Sequence, residues 1–585
     1  MSASLIFRVT PPAVGILTPE KPAYRTALAL LLAGALGSLL SSPKWLVPAA
    51  AWLTPVFLLY YVQHVPIRRK WLWFTLALVP ANVIAMLDVM PFPWYVMALV
   101  LLLDIGKTIL LFIGYRWLVR GRTTFGWTLA FPLLWTVREF LEAQGDIGTF
   151  ASVANTQFAF PWLVQLVSVT GLWGITFLLY WFASVAVWAI RARLNGQPAG
   201  AGIATYAAVL LTVLAFGAYR YHTDQTAGAP KLSVGGVTVP NLPILEALYQ
   251  DVTGRPIRID PTAAPASAAL QQAKGGLIAF VEKPDSTRFR RGWAAIRQQQ
   301  NELFRLSARA VADGAQLVLW SEGSAILLKA DEPALLARGR AFAARHRVYL
   351  LMAVAVLHAG PIRQPDGTIR PFMENKTMLI DPTGNIINVF HKNHPVPMAE
   401  PVRPGNGQIP VVATAFGRLA PSICYDADHT STMQQLGRKR IGLLLLPSGD
   451  WRAIAPYHSY MAVFRAVENG CSLARQVSGG LSVFTDYRGK VLASHDVFAP
   501  GVDAPGVDSP GVATPGVATA PADRPNDNVT VASLPVANVP TLYARFGDWL
   551  AYLSMALLAG LVVIRGLRLP YSPASPAKAS ARRSA

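Results

Sequence analysis

At 585 residues the chain is long enough for several domains, yet 53% of it is hydrophobic and only 14% charged, against roughly 25% charged in an ordinary soluble protein. The formal net charge of +20 sits beside apolar runs and not in one aromatic-laced patch, which argues against nucleic acid and for membrane orientation. Cys424 and Cys471 could pair with each other, but two cysteines make neither a disulfide framework nor a metal set.

Apolar runs lie at about 26–42, 45–63, 71–90, 94–118, 125–143, 171–190 and 203–219, and again at about 546–566. A bilayer crossing takes about 20 mostly apolar residues, so the sequence predicts a polytopic α-helical region of about eight spans, the first run being short. Lys21 and Arg25 precede that run, which has no small-residue cleavage site, so no cleavable signal peptide is expected. Lys21 and Arg25, Arg68 to Lys70, Arg116, Arg120 and Arg122, then Arg191 and Arg193 fall at alternate junctions, and the loops near 91–93 and 145–170 carry no Lys or Arg. The positive-inside rule puts the N-terminus and these clusters in the cytoplasm. The expected divisions are a membrane region over 1–220, a far-side domain over 221–543, a returning helix over 544–568 and a cytoplasmic tail over 569–585. Asp104 and Lys107, three apart on one helix face, are expected to neutralise one another. Arg138, Glu139 and Glu142 are read as an internal ion pair or an interfacial helix end ahead of a substrate contact.

The far-side domain alternates helix-like and strand-like patterns. Residues 293–315 have helical spacing, and "QLVLWSEGS" then gives a short buried strand. "RVYLLMAVAVL" and "IGLLLLPSG" read as strands, and "KTMLIDPTGNIINVFHK" and "LSVFTDYRGKVLAS" as hairpins. Residues 457–470 read as a helix stopped by Gly470. The alternation argues for a layered α/β domain. Residues 499–526, with Pro-Gly-Val repeated four times, read as a flexible insert, and 233–275 give no clear element.

One reactive residue stands at each of three strand ends: Glu322 after "LVLW", Lys392 after "NVFH" and Cys424 after "RLAPSI". Each has an ordinary structural reading as a cap, a solvated cation or a small buried hydrophobe. Together they form a working set, because a thiol needs a base to become a nucleophile and a cation can hold the oxyanion that follows. His391, His394 and His429 match no zinc spacing, and no metal or cofactor is expected.

"LWSEGSA", "HKNHPVPMAEPVRPG", "SICYDAD", "LLPSGDW" and the stretch from His458 through "SVFTDYRGKVLAS" resemble the carbon–nitrogen hydrolase (nitrilase) superfamily. With the membrane region, "FPWLVQLVSVTGLWGITFLL" and the final span entered through "TLYARFGDW", the chain is similar to the bacterial apolipoprotein N-acyltransferase family. The resemblance implies a nitrilase-like αββα sandwich, with Glu322 as general base, Lys392 as oxyanion-stabilising cation and Cys424 as acyl-accepting nucleophile. It makes Glu400, Asn375, Tyr425 and Asp426 supporting residues. Asp426 stands where the family usually has Glu, Gly449 where Asn is common, and "MAEP" where "FGEY" is usual.

The implied reaction is ping-pong acyl transfer from a phospholipid to the α-amine of a diacylated lipoprotein. The expected setting is the bacterial inner membrane, with the catalytic domain of a monomer on the periplasmic side. The alternatives are a membrane-tethered amidase or nitrilase-type hydrolase with water as acceptor, and a non-catalytic membrane scaffold.

Overall fold

The computed structural model describes residues 24–65, 67–364, 368–498 and 528–566. The Pro-Gly-Val insert and the C-terminal tail read from the sequence lie outside them. Eight helices stand where the eight apolar runs were read: Tyr24–Leu40, Pro48–His64, Lys70–Met86, Trp94–Val119, Ala130–Ala143, Trp173–Leu194, Gly200–His222 and Trp549–Gly566.

Four of these, Trp94–Val119, Trp173–Leu194, Gly200–His222 and Trp549–Gly566, are long and apolar enough to cross a membrane. Length and composition alone single out these four and leave the expected count of about eight unconfirmed. The reason is geometric. At about 1.5 Å per residue a helix of 17 residues spans about 25 Å, short of a hydrocarbon core about 30 Å thick. Three of the other helices have 17 residues and Ala130–Ala143 has 14. Trp94–Val119 leaves Leu99, Leu103 and Leu110 exposed, as a lipid-facing helix does.

The charges along these helices form one network rather than separate pairs. Arg138 Nη2 bonds Asp104 at 2.5 Å and its Nε bonds Glu142 at 3.2 Å, while Lys107 lies 3.1 Å from Glu142 and 3.8 Å from Asp104. Glu139 stands apart and accepts hydrogen bonds from the Ser152 and Thr176 hydroxyls. Lys107 and Asp104 stay partly exposed while Arg138 is largely buried, so the charges on these apolar helices neutralise one another.

Thirteen strands follow among the described residues: β1 Lys231–Val237, β2 Leu317–Trp320, β3 Ala325–Leu328, β4 Tyr349–Leu357, β5 Met373–Ile380, β6 Ile386–His391, β7 Val412–Thr414, β8 Gly417–Pro421, β9 Leu443–Gly449, β10 Ser472–Ser478, β11 Leu481–Thr485, β12 Val491–Asp496 and β13 Val529–Pro535. One sheet runs β13-β1-β2-β4-β5-β6, with β3 also on β4, and the other runs β12-β11-β10-β9-β8-β7. Their inner faces meet through Leu232, Leu317, Leu351, Leu379, Leu443, Leu445 and Phe484. Helices Arg290–Ala312 and Glu332–His346 cover the outside of the first sheet through Leu303, Leu306 and Leu335. Helices Thr430–Arg438 and Tyr457–Asn469 cover the second and share a core with Leu172, Trp173 and Leu179 of the membrane region. The expected αββα sandwich is present, and one of its helical layers is also its seat on the membrane region.

The stretch 233–275, blank in the sequence reading, supplies β1 and helices Leu242–Thr253 and Ala268–Glu282. Its strand signal is hidden by Gly235 and Gly236, and a glycine pair reads as a break. A Cβ on Gly236 would stand 1.9 Å from Gln476 Oε1 of the other sheet, so a larger residue there would displace the Gln476 side chain.

Candidate active site

Three strand ends converge between the sheets. After β2 the chain turns at Ser321, and the Glu322 N–H crosses to the Ser448 carbonyl of β9 at 3.3 Å. Lys392 follows β6, its N–H bonded to the Asn375 carbonyl at 2.9 Å and its carbonyl accepting from Gly405 at 2.8 Å. Cys424 follows β8 and opens a short 3₁₀ turn, Cys424–Asp428. Its φ is +44°, a region that non-glycine residues enter only where their surroundings hold them there.

The structure brings Glu322, Lys392, Glu400 and Asn375 into one cluster beside Cys424, with Asp426 and Tyr425 in the cysteine's own turn. Lys392 is fully buried and its Nζ bonds both Glu322 Oε1 and Glu400 Oε1 at 2.7 Å. Asn375 Nδ2 donates to the same Glu322 oxygen at 2.7 Å. Glu322 Oε2 faces Gly449, where an added Cβ would stand 3.3 Å from it. The carbonyl of Gly449 in turn accepts from the Cys424 thiol at 3.7 Å. Gly449, a departure from the pattern the resemblance implies, thus lies between the Glu322 carboxylate and the Cys424 thiol and leaves the carboxylate's second oxygen uncrowded. Asp426 Oδ1 accepts the His394 N–H at 2.8 Å, and its Oδ2 accepts from Ile423 N and Ser422 Oγ at 3.0 and 3.1 Å. The shorter carboxylate therefore ties the lysine loop to the cysteine turn. Tyr425 donates its hydroxyl to the Asp146 carbonyl at 2.6 Å. The N–H groups of Cys424 and Tyr425 meet no acceptor among the described residues.

The electrostatics follow from burial and charge. Burial opposes the Lys392 charge, but Glu322 and Glu400 outweigh it and hold the ammonium well above its ordinary pKa. Burial, with Glu322 close by, raises the Cys424 thiol well above its ordinary value despite Lys392. Burial thus favours the neutral thiol over the thiolate. Burial, reinforced by Glu322, also raises the Glu400 carboxyl, against the pull of Lys392, and burial takes Asp426 to about 7 although Lys392 opposes it.

A second polar cluster behind the thiol received no role in the sequence reading. His458 meets Asp450 Oδ1 through Nδ1 and Asp428 Oδ1 through Nε2, each at 2.8 Å. Arg475 reaches both oxygens of Asp450 at 3.0 Å. Burial works against the imidazolium, but Asp428 and Asp450 prevail and bring His458 to about 9. Cys424, Asp450 and His458 offer ligand atoms within 4.8 Å of one another, yet the histidine and aspartate donors are already committed to each other and to Arg475. The available signal was "GDW" and the His458 helix, two quoted motifs that only the fold places against Cys424. His394 and His429 stack 3.7 Å apart, while His391 lies 3.6 Å from Glu374, so the three histidines form no common site. The two cysteines are free and buried.

Comparison with known proteins agrees with this architecture. Residues 33–185 match the apolipoprotein N-acyltransferase N-terminal domain, and residues 284–513 match the carbon-nitrogen hydrolase family. An apolipoprotein N-acyltransferase of Geobacter metallireducens is 27% identical over 440 residues, covering 70% of this chain and 74% of the relative. The chain is similar to apolipoprotein N-acyltransferases over most of its length. Another relative so named, from Bradyrhizobium diazoefficiens, is 26% identical over 501 residues, covering 76% of each chain. Among solved structures, an amidase from Nesterenkonia sp. is 16% identical with a TM-score of 0.34, covering 57% of this chain and 99% of the amidase. In apolipoprotein N-acyltransferase terms, the N-terminal match covers the helices beneath the site and the hydrolase match holds Glu322, Lys392 and Cys424.

Proposed function

We propose that the protein is an apolipoprotein N-acyltransferase that moves an acyl chain from a phospholipid, through a thioester on Cys424, to the α-amine of a diacylglyceryl-cysteine lipoprotein. The observation that carries this reading is one chain joining the family's N-terminal domain to a buried thiol beside the Glu322–Lys392 ion pair. An amidase-type hydrolase would use the same three side chains with water as acceptor, but it has no use for the N-terminal domain.

Glu322 Oε2, the oxygen not taken by Lys392 and Asn375, receives the thiol proton, and the thiolate attacks the phospholipid ester carbonyl. The Lys392 ammonium and the Tyr425 N–H stabilise the tetrahedral oxyanion. Collapse breaks the ester C–O bond, and the proton on Glu322 passes to the departing lysophospholipid. The lipoprotein amine then attacks the thioester and gives its proton to Glu322. The Cys424 thiolate leaves and takes that proton back. The reaction needs no cofactor.

We read the eight helices as crossings, the shorter ones with help from flanking residues, and the enzyme as a monomer in the inner membrane. The Arg and Lys clusters at alternate loops support a cytoplasmic N-terminus and a periplasmic catalytic domain. The test is turnover: with phospholipid and a diacylated lipopeptide, the purified protein yields N-acylated peptide and Cys424→Ala yields none. Fatty acid released with no peptide product would instead mark a hydrolase.

A further inference from the structure

The turn that carries Cys424 is held at both ends by the membrane region. Tyr425, its second residue, donates its hydroxyl to the Asp146 carbonyl at 2.6 Å. Asp428, its last residue, accepts at its carbonyl from both the Thr149 N–H at 2.8 Å and the Thr149 hydroxyl at 3.0 Å. Gly148 has φ +57°, and a Cβ there would stand 2.5 Å from that same carbonyl oxygen, so only glycine lets the two backbones approach this closely. The segment is braced in its turn: Asn155 Nδ2 donates to the Thr149 carbonyl at 2.9 Å and lies 3.2 Å from the Tyr457 hydroxyl. The Asp428 side chain, through His458, continues to Asp450, the neighbour of Gly449.

We propose that residues 146–149 of the membrane region are a positioning element of the acyl-transfer site, with Thr149 and Gly148 fixing the turn that presents the Cys424 sulfur and the Tyr425 N–H. A five-residue turn with its nucleophile at positive φ keeps that geometry only if its surroundings over-determine it. Here the two fastenings come from a loop distant in sequence and attached to the membrane helices. The catalytic domain alone would lack them. Thr149 touches no reacting atom and acts through Asp428.

The inference rests on the acyl-transfer reading, and its test separates the two. Thr149→Val keeps the shape and the N–H but removes the hydroxyl donor, whereas Thr149→Ser keeps the donor. In the full-length protein, the rate of acyl-adduct formation at saturating phospholipid should fall about three- to tenfold in Thr149→Val. The phospholipid KM and the melting temperature should stay near wild type, and Thr149→Ser should restore the rate. Gly148→Ala should move the rate in the same direction and further. Wild-type rates in Thr149→Val, or a loss explained by lowered melting and not recovered by Thr149→Ser, would overturn the positioning role. If wild type itself forms no adduct, the acyl-transfer reading fails and takes this inference with it.

Discussion

In the proposed reaction each polar atom around Cys424 has a separate task, and the division makes the site testable one atom at a time. Removing Lys392 would strand two carboxylates at 2.7 Å from the vacated position, at a cost of about 3–5 kcal/mol for a broken buried pair, so that variant confounds folding with catalysis. Glu322→Gln is cleaner. Its carbonyl oxygen still accepts from Lys392 and Asn375, while the amide in place of Oε2 cannot take a proton. We expect a folded protein whose acyl transfer is down about 100- to 10,000-fold, measured as peptide turnover. Activity within tenfold of wild type would remove Glu322 from the role of base. Glu322, Lys392 and Cys424 were legible because each closes a strand-like run, and Glu400 and Asn375 were legible only through the family resemblance. Asp450, His458 and Arg475 were not, since they come from a loop, a helix and β10 and meet only in the folded chain. Asp426 was visible as a departure, but its part in tying two loops together depends on distances that no spacing reveals.

At the scale of elements, the strands that alternate or run apolar were readable, and those that break the pattern were not. β10 carries Arg475 and Gln476, both fully buried and hydrogen bonded, so its polar letters hide a central strand. β1 was masked by its glycine pair and by the stretch around it, which lacks strong signals. β13 pairs with β1 and lies far from it in sequence, beyond the insert. Cys471, just ahead of β10, is buried against Leu436, Val467 and Leu473, and burial pushes its thiol up to about 12. It acts as a small apolar side chain. Cys471→Ser should leave turnover within about threefold while lowering stability by about 1–2 kcal/mol, the cost of burying a hydroxyl, read from thermal melting. A large loss of turnover at unchanged melting would mean that the two thiols cooperate.

The whole molecule seats one face of the αββα sandwich on the membrane helices. Trp451 donates its indole N–H to the Asp88 carbonyl, Phe158 stacks on Tyr460 at 3.8 Å, and Trp173 Nε1 donates to Asp548 at the entrance to the last helix. This docking puts the thiol's turn against the membrane region, which suits a substrate drawn from lipid. The sequence indicated both halves, but their joint depends on contacts between residues some 300 apart, and single-chain patterns carry no trace of those. The central claim is that the acyl chain passes through Cys424 to an amine, and the intact mass of the protein tests it most directly. After incubation with phospholipid, wild type should gain the mass of one acyl chain on Cys424. Adding a diacylated lipopeptide should discharge that mass and return it as an amide on the peptide. No acyl mass on wild type, or peptide acylation that persists in Cys424→Ala, would contradict the account.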